Sequence, residues 1–189
     1  MAKRPLNKFV RKAIREIMEP AIRALGFEGK YPNFKRIEDG EIHFLEISTA
    51  KYGGGFGYGF SWCENGPLGH GDGEAIPADQ IERTHIPFEQ SAGVSPLMDV
   101  WTLDGERLRV SAGDYNYELI IDDEDACREL VTEAAATLPQ ADSWLKTRGP
   151  QELVFLAGHY PPTGYSSDFA LEIFRNKEDF RLRALGLID

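Results

Sequence analysis

An alternation of glycine and aromatic residues in the segment 55–62 constrains the fold of this chain more than any other feature. The odd positions 55, 57 and 59 are glycine, and the even positions 56, 58, 60 and 62 are aromatic. Because successive side chains of a β-strand point to opposite faces, the pattern predicts a strand with one aromatic face and one nearly bare face. Residues 51–54, Lys-Tyr-Gly-Gly, then form the turn of a hairpin with segment 41–50.

The register of this hairpin follows from burial of the aromatic face. A slip of one residue would turn every aromatic side chain to the wrong face, so the pairing is strongly specified. The residues of segment 41–50 that we expect on the aromatic face are His43, Leu45, Ile47 and Thr49. Those that we expect beside the glycines are Ile42, Phe44, Glu46 and Ser48.

The glycine face is the candidate binding site of the chain. Glycine costs roughly 0.5–1 kcal/mol relative to alanine inside regular structure, so three alternate glycines indicate either a close neighbour or a sharply coiled strand. The neighbour is a helix of the same chain, a partner or a ligand. For a ligand, we predict a shallow groove with Gly57 and Gly59 as its floor and Glu46, Ser48 and Ser61 at its flanks. Neither G-x-G-x-x-G nor a P-loop ending fits the segment, which excludes a phosphate loop.

The amino-terminal region predicts an amphipathic helix. Apolar residues recur at steps of three and four from Leu6 to Leu25, and Lys8, Arg11, Lys12 and Arg15 follow the other side. Pro20 predicts a kink or restart, and Gly26 is placed to end the helix. Residues 1–36 hold ten Lys or Arg against three Glu, a charge of +7, and the remainder holds eleven against 28, which is −17. The basic side contacts either the acidic body of the chain or a partner.

The rest of the sequence predicts an α+β domain spanning 1–189, with an antiparallel sheet, helices packed mainly on one face and a helical C-terminal part. Extended segments are predicted at 34–37, 100–103, 106–111 and 115–121, with Asp39-Gly40 as a hairpin turn. A Gly/Pro-rich irregular insertion is predicted at about 63–96, with one helical turn near 78–83. Helices are predicted at 122–138, 141–147, 150–157 and 167–185.

Four short motifs in the first third of the chain resemble a known family. They are LGF at 25–27, YPNFKR at 31–36, LEIS at 45–48 and FGYG at 56–59. This arrangement is similar to the bacterial family called domain of unknown function 4304, in which a Phe-Gln-x-Ser strand occurs. Leu45 and Glu46 stand where that family has Phe and Gln. The resemblance implies no activity and no catalytic residues.

No catalytic or cofactor motif stands out in the sequence. The four histidines form no HExxH pair, and no serine lies in a G-x-S-x-G elbow. His70, Asp72 and Glu74 are either metal ligands or part of a solvated glycine loop. The carboxylates at 122–125 are better explained as the start of a helix, where they cap free N–H groups and favour the helix dipole. We therefore predict no catalytic residues, no metal and no cofactor.

Composition limits the partners and the compartment. No apolar run approaches the roughly 20 residues of a membrane span. The amino end lacks the apolar core of a secretory signal, so we expect a cytoplasmic protein. An acidic body argues against general nucleic-acid binding, because phosphates would be repelled over most of the surface.

Two functions of different classes follow from the sequence. The first is a non-enzymatic binding or accessory module that recognises a protein partner through its acidic surface, for example to neutralise a toxin. The second is a small-molecule enzyme whose groove lies on the glycine face of the 41–62 hairpin, with Glu46 as acid or base.

Overall fold

An antiparallel sheet forms the centre of the fold. The computed structural model describes residues 7–51, 53–69, 75–101, 107–111, 113–149, 151 and 153–156. The strands are β1 (Glu28–Lys30), β2 (Asn33–Glu38), β3 (Glu41–Thr49), β4 (Gly55–Glu64), β5 (Ser91–Val94), β6 (Leu97–Trp101), β7 (Arg107–Ser111), β8 (Tyr115–Asn116) and β9 (Val154–Leu156). The order in the main sheet is β1-β2-β3-β4-β5-β9, β8 also pairs with β4, and β6 pairs with β7 separately.

Helices precede β1 and follow β8 along the chain, which confirms the α+β class. They are α1 (Lys8–Ala13), α2 (Glu19–Ala24), α3 (Glu124–Ala136) and α4 (Leu138–Thr147). None of the helices in these ranges is both long and apolar enough to cross a bilayer. A π-helical turn, Ile14–Met18, joins α1 to α2. The chain stays helical through Met18 and Glu19, so the change predicted at Pro20 is one of winding: Pro20 follows the π-helical turn and lies in the first turn of α2, where a missing N–H is tolerated.

The aromatic face of the hairpin packs against the helices, as the alternation predicts. Phe56 and Phe60 are fully buried, and the Phe60 ring meets the Trp144 ring of α4 edge-on at 5.3 Å between centroids. The register agrees with the prediction: Leu45 lies opposite Phe60 and Ile47 opposite Tyr58. Buried side chains from the helices complete this core, among them Val10, Ile14, Met18, Val131, Leu138 and Leu145.

The predicted turn and cap positions are also confirmed. Asp39 and Gly40 both have positive φ, 50° and 83°, which is the geometry of a tight two-residue hairpin turn. Gly26 has φ +86° directly after the end of α2. The Asp123 side chain caps α3, since Oδ1 accepts a hydrogen bond from the Ala126 backbone N–H at 3.0 Å.

Three predicted segments need correction. The helical turn predicted near 78–83 is present as a 3₁₀ turn at Ala78–Gln80, but segment 63–96 is less irregular than predicted, because it also contains β5 and 3₁₀ turns at Arg83–His85 and Phe88–Gln90. The helix predicted at 150–157 is wrong where the structure describes it: the Val-Phe-Leu run of β9 pairs with β5, as β-branched and aromatic residues favour. The strand predicted to reach residue 121 ends at Asn116, whose side-chain oxygen accepts from the Glu118 N–H and turns the chain into a 3₁₀ helix. The helix predicted at 167–185 lies outside the described residues.

The basic side of the first helix is engaged by the chain itself. Lys12 Nζ donates to Glu124 Oε1 on α3 at 2.7 Å, and Arg11 donates to the Thr49 hydroxyl at 3.3 Å. The hydrogen bond with Glu124 raises the pKa of Lys12. Arg15 lies over the Tyr31 ring, 5.7 Å from its centroid. These contacts favour the interpretation that the helix complements its own acidic body.

Truncation of the central aromatic side chain tests the core assignment. Phe60→Ala is expected to lower the free energy of unfolding by about 3–5 kcal/mol, through lost burial and a cavity beneath α4. Ile37→Ala on the same sheet is the control, since Ile37 is 61% exposed and its loss should change stability by less than about 0.5 kcal/mol. Urea unfolding followed by circular dichroism measures both. Equal effects of the two variants would contradict the assignment.

Charge reversal tests the role of the first helix. Changing Lys8, Arg11, Lys12 and Arg15 to glutamate should lower the urea midpoint at low salt, because the Lys12–Glu124 pair becomes a repulsion. The loss should shrink as salt is added, since exposed charges are screened. An unchanged midpoint at low salt would contradict the self-complementary interpretation.

Candidate functional site

The first part of the candidate site is the glycine face of β3 and β4. Glu46 lies opposite Gly59, and Ser48 opposite Gly57. The guanidinium of Arg83, which comes from a 3₁₀ turn, lies over Gly59: a Cβ there would be 2.5 Å from Nη2. Arg83 Nη1 also donates to Glu46 Oε2 at 2.7 Å. The close neighbour that the glycines indicate is, at this position, an arginine of the same chain.

Asp114 occupies the other half of the glycine face. A Cβ at Gly57 would lie 2.7 Å from Asp114 Oδ1, and a Cβ at Gly55 would lie 3.2 Å from Asp114 Cβ. Ser48 is exposed beside it and donates a 3.4 Å hydrogen bond to the Gly57 carbonyl oxygen. The structure therefore brings Glu46, Ser48, Gly57 and Gly59 together, with two side chains of the chain itself laid on the glycine floor.

Ser61 belongs to a different environment from the other predicted site residues. It is fully buried, and its hydroxyl has no hydrogen-bond partner among the described residues. On the same face, Ile81 and Ile86 pack over a small apolar cluster, which also includes Ile42, Phe44 and Cys63. Burial raises the pKa of Cys63. This part of the face is a second core, and a thiol held protonated there is a poor nucleophile.

Sequence reasoning missed a charged cluster on the opposite face, between the sheet and the end of α4. We call it the Arg36 cluster; its members are Arg36, Glu38, Glu41, His43, Asp142, Lys146 and Arg148. Arg36 is its centre and is almost completely buried. Its Nη1 lies 2.6 Å from Asp142 Oδ1 and donates to the Leu25 carbonyl oxygen at 2.7 Å. Its Nη2 is 3.0 Å from Glu38 Oε2, off the line of a hydrogen bond, so that contact is an ion pair.

His43 and Glu41 extend the cluster along β3. Arg36 Nε donates to His43 Nδ1 at 3.1 Å, and His43 Nε2 is 2.9 Å from Glu41 Oε2. Burial lowers the pKa of His43, and the nearby Arg36 charge adds to this effect. Burial pushes the pKa of Glu41 upward, but hydrogen bonds from His43 and Arg148 outweigh it and hold that pKa below its usual value.

Arg148 connects the cluster to the end of α4. It stands in the left-handed region at φ 56°, which is uncommon for a residue with a long side chain. From there its guanidinium pairs with Glu41 and stacks over the Trp62 ring, 4.1 Å from the centroid. The strained backbone is thus offset by an ion pair and a cation–π contact.

Each ring nitrogen of His43 is already hydrogen-bonded within the Arg36 cluster. Both ring nitrogens of His43 are engaged, so neither is free to accept a proton from a substrate. Within the described residues, no group of three or more His, Cys, Asp or Glu side chains could hold a metal ion. The predicted alternative ligands His70, Asp72 and Glu74 lie outside those residues.

Part of the Arg36 cluster has a signal in the sequence. A two-residue turn at Asp39-Gly40 fixes the pairs Glu38 with Glu41 and Arg36 with His43. That placement follows from the turn alone. The contribution of α4 to the cluster could not be predicted in this way, because Arg148 is 107 positions from Glu41 along the chain.

Comparisons of the chain with protein families, with curated proteins and with solved structures found no match. The resemblance described above therefore stays a prediction.

A double-mutant cycle tests the contact between Gly59 and Arg83. Gly59→Ala should lower the free energy of unfolding by about 1 kcal/mol more in the wild-type background than in the Arg83→Ala background. The reason is that the added methyl group displaces the guanidinium of Arg83 from Glu46. In Arg83→Ala, alanine is expected to stabilise the strand by roughly 0.5–1 kcal/mol relative to glycine. Urea unfolding of the four proteins gives the coupling.

Gly93→Ala is the matched control on the neighbouring strand. Among the described atoms, a Cβ at Gly93 would meet the Tyr58 carbonyl oxygen at 3.5 Å, which is an ordinary contact. The effect of Gly93→Ala on the free energy of unfolding should be the same in the wild type and in Arg83→Ala. The contact is refuted if Gly59→Ala also behaves identically in both backgrounds.

Proposed function

We propose that the protein is a cytoplasmic, non-enzymatic binding module that recognises a basic protein partner, as a toxin-neutralising or accessory protein would. The observation that carries this proposal is a row of carboxylates on the exposed face of α3. We call it the acidic ridge; its residues are Asp125, Glu129 and Glu133, which are all exposed. A spacing of four residues places them above one another along the helix.

The acidic ridge has no paired counter-charge in the part of the chain that the structure describes. Among the described residues, no ion pair or hydrogen bond involves the side chains of Asp125, Glu129 or Glu133. The cations near α3 are used on its inner side, where Lys12 pairs with Glu124 and Arg128 with Glu16. Like charges four apart destabilise a helix by roughly 0.2–0.5 kcal/mol per pair, a cost that a basic partner would remove.

Charge also favours a protein partner over a nucleic acid. The basic side of the first helix, the region most suited to phosphates, is engaged with Glu124, Thr49 and Tyr31. The exposed ridge would repel a phosphate backbone and attract Lys or Arg side chains.

The glycine-face enzyme is supported less well. Arg83 and Asp114 lie on the glycine floor, and Glu46 is ion-paired with Arg83. A substrate would have to displace both side chains before reaching the strand.

Neutralisation of the ridge tests the proposal. The triple variant Asp125→Asn, Glu129→Gln, Glu133→Gln should keep a free energy of unfolding close to that of the wild type, because the relief of repulsion along α3 offsets the lost interaction of Asp125 with the helix dipole. Its affinity for the partner should fall by about tenfold, as expected for the loss of three exposed ion pairs of up to ~0.5 kcal/mol each. Immobilised protein and a lysate of the source organism at low salt provide the capture assay.

A second triple variant controls for net charge. Glu28→Gln, Glu64→Gln, Asp79→Asn changes the same number of charges at exposed positions away from α3. A carbodiimide, which joins carboxylates directly to lysines, should link the captured partner to the α3 peptide in the wild type and in this control. Equal loss of capture in both triples, or cross-links confined to other peptides, would contradict the proposal.

A further inference from the structure

His43 is a buried histidine whose hydrogen bonds only the neutral ring can make. Arg36 Nε always carries a hydrogen, so His43 Nδ1, 3.1 Å away, must accept it and be unprotonated. The proton of the neutral ring is then on Nε2, which donates to Glu41 Oε2 at 2.9 Å. A second proton on the ring would set N–H against N–H and place two positive charges together.

The charges of the Arg36 cluster balance only while the His43 ring is neutral. From β2 it faces Arg36 and Glu38, whose Oε2 is 4.0 Å from Nδ1, and from β3 it faces Glu41. Behind these groups, α4 and its end contribute Asp142, Lys146 and Arg148. Within the described residues the cluster has three cations and three carboxylates, so protonation leaves one uncompensated charge on the buried ring of His43.

The same groups attach α4 to the sheet. Asp142 is held by Arg36, Arg148 by Glu41, and Lys146 by Glu38 at 3.8 Å. Each of these three ion pairs ends on a sheet residue that lies beside His43. Disturbing Arg36 and Glu41 therefore disturbs the contacts that hold the C-terminal end of α4.

We propose that His43 is a pH-sensitive latch, which holds the end of α4 to the sheet when neutral and releases it when protonated. The latch is independent of the proposed partner binding. The effect of the latch extends to β9 at the edge of the sheet through two hydrogen bonds. Gln140 Oε1 accepts from the Leu153 N–H at 2.9 Å, and Gln151 donates to Ser143 at 3.1 Å. These bonds tie the segment before β9 to α4.

The direction of the pH effect follows from the buried ring. Burial holds the pKa of His43 below its ordinary value, so the folded protein binds fewer protons there than the unfolded chain. The stabilisation is therefore complete above about pH 6.5, the ordinary histidine value, and is lost as the pH falls below it. The lowered pKa of Glu41 acts in the same direction, at lower pH.

Hydrogen exchange of the full chain tests the latch at about pH 7.5 and about pH 5.5, on either side of the ordinary histidine pKa. After correction for intrinsic rates, amides of residues 144–149 and of β9 should exchange about tenfold faster at the lower pH. The reason is that about pH 5.5 lies one unit below the ordinary histidine pKa, which favours the released state with its protonated ring about tenfold. Amides in the middle of α3, around Val131, should keep their protection. Uniform acceleration, or none, would overturn the proposal.

A non-titrating replacement separates the latch from general acid sensitivity. In His43→Gln, the amide oxygen can accept from Arg36 and the amide N–H can donate to Glu41. This variant should lose the acid acceleration at α4 and β9, whereas His85→Gln, in a surface turn, should retain it. Acceleration that persists in His43→Gln refutes the proposal.

A measurement on the wild type covers the case in which His43→Gln does not fold. ¹⁵N NMR of the imidazole should show Nδ1 unprotonated at about pH 7.5, and the ring should titrate below the ordinary value of about 6.5. The titration should coincide with changed amide signals at residues 144–149. A ring that titrates without those changes would refute the latch.

Discussion

The pairing of β3 with β4 is the constraint on which the rest of the structure depends. Its register places four aromatic side chains of one strand toward the helices and the glycines toward the other side. Burial fixes that choice, since a shift of one residue would expose Phe56 and Phe60 and drive Glu46 into the core. Both interior clusters, and both sites, are consequences of which residues the register puts on each face.

The hairpin could be predicted because its information is local. Period-two alternation, the turn at Asp39-Gly40 and the cap at Asp123 are each specified by neighbouring residues. The side chain that occupies the glycine face could not be predicted, because Arg83 lies in a segment without periodicity and reaches Gly59 only through the tertiary fold. Likewise the short apolar run at β9 is compatible with helix or strand, and the free edge of β5 decides between them.

The charged residues of the protein are used in two different ways. At the centre of the Arg36 cluster, burial of Arg36 and His43 makes an unpaired charge costly, and the surrounding ion pairs hold α4 to the sheet. On the outer face of α3, high exposure makes carboxylates without an ion pair among the described residues tolerable, although they repel one another along the helix. The sequence alone does not separate the charged residues of the Arg36 cluster from those of the acidic ridge. Their burial in the fold distinguishes a structural charge from one that is available to a partner.

The first helix has its partners far along the chain. Tyr117 donates to Asn7 at 2.7 Å across 110 positions, and Lys12 reaches Glu124 across 112. On a ribosome that adds about 5–20 residues per second, an amphipathic helix made first therefore waits several seconds before α3 exists. During that interval its apolar stripe has no native helix to cover it, so nascent chains should be most prone to chaperone capture and misassembly until residues 124–136 emerge.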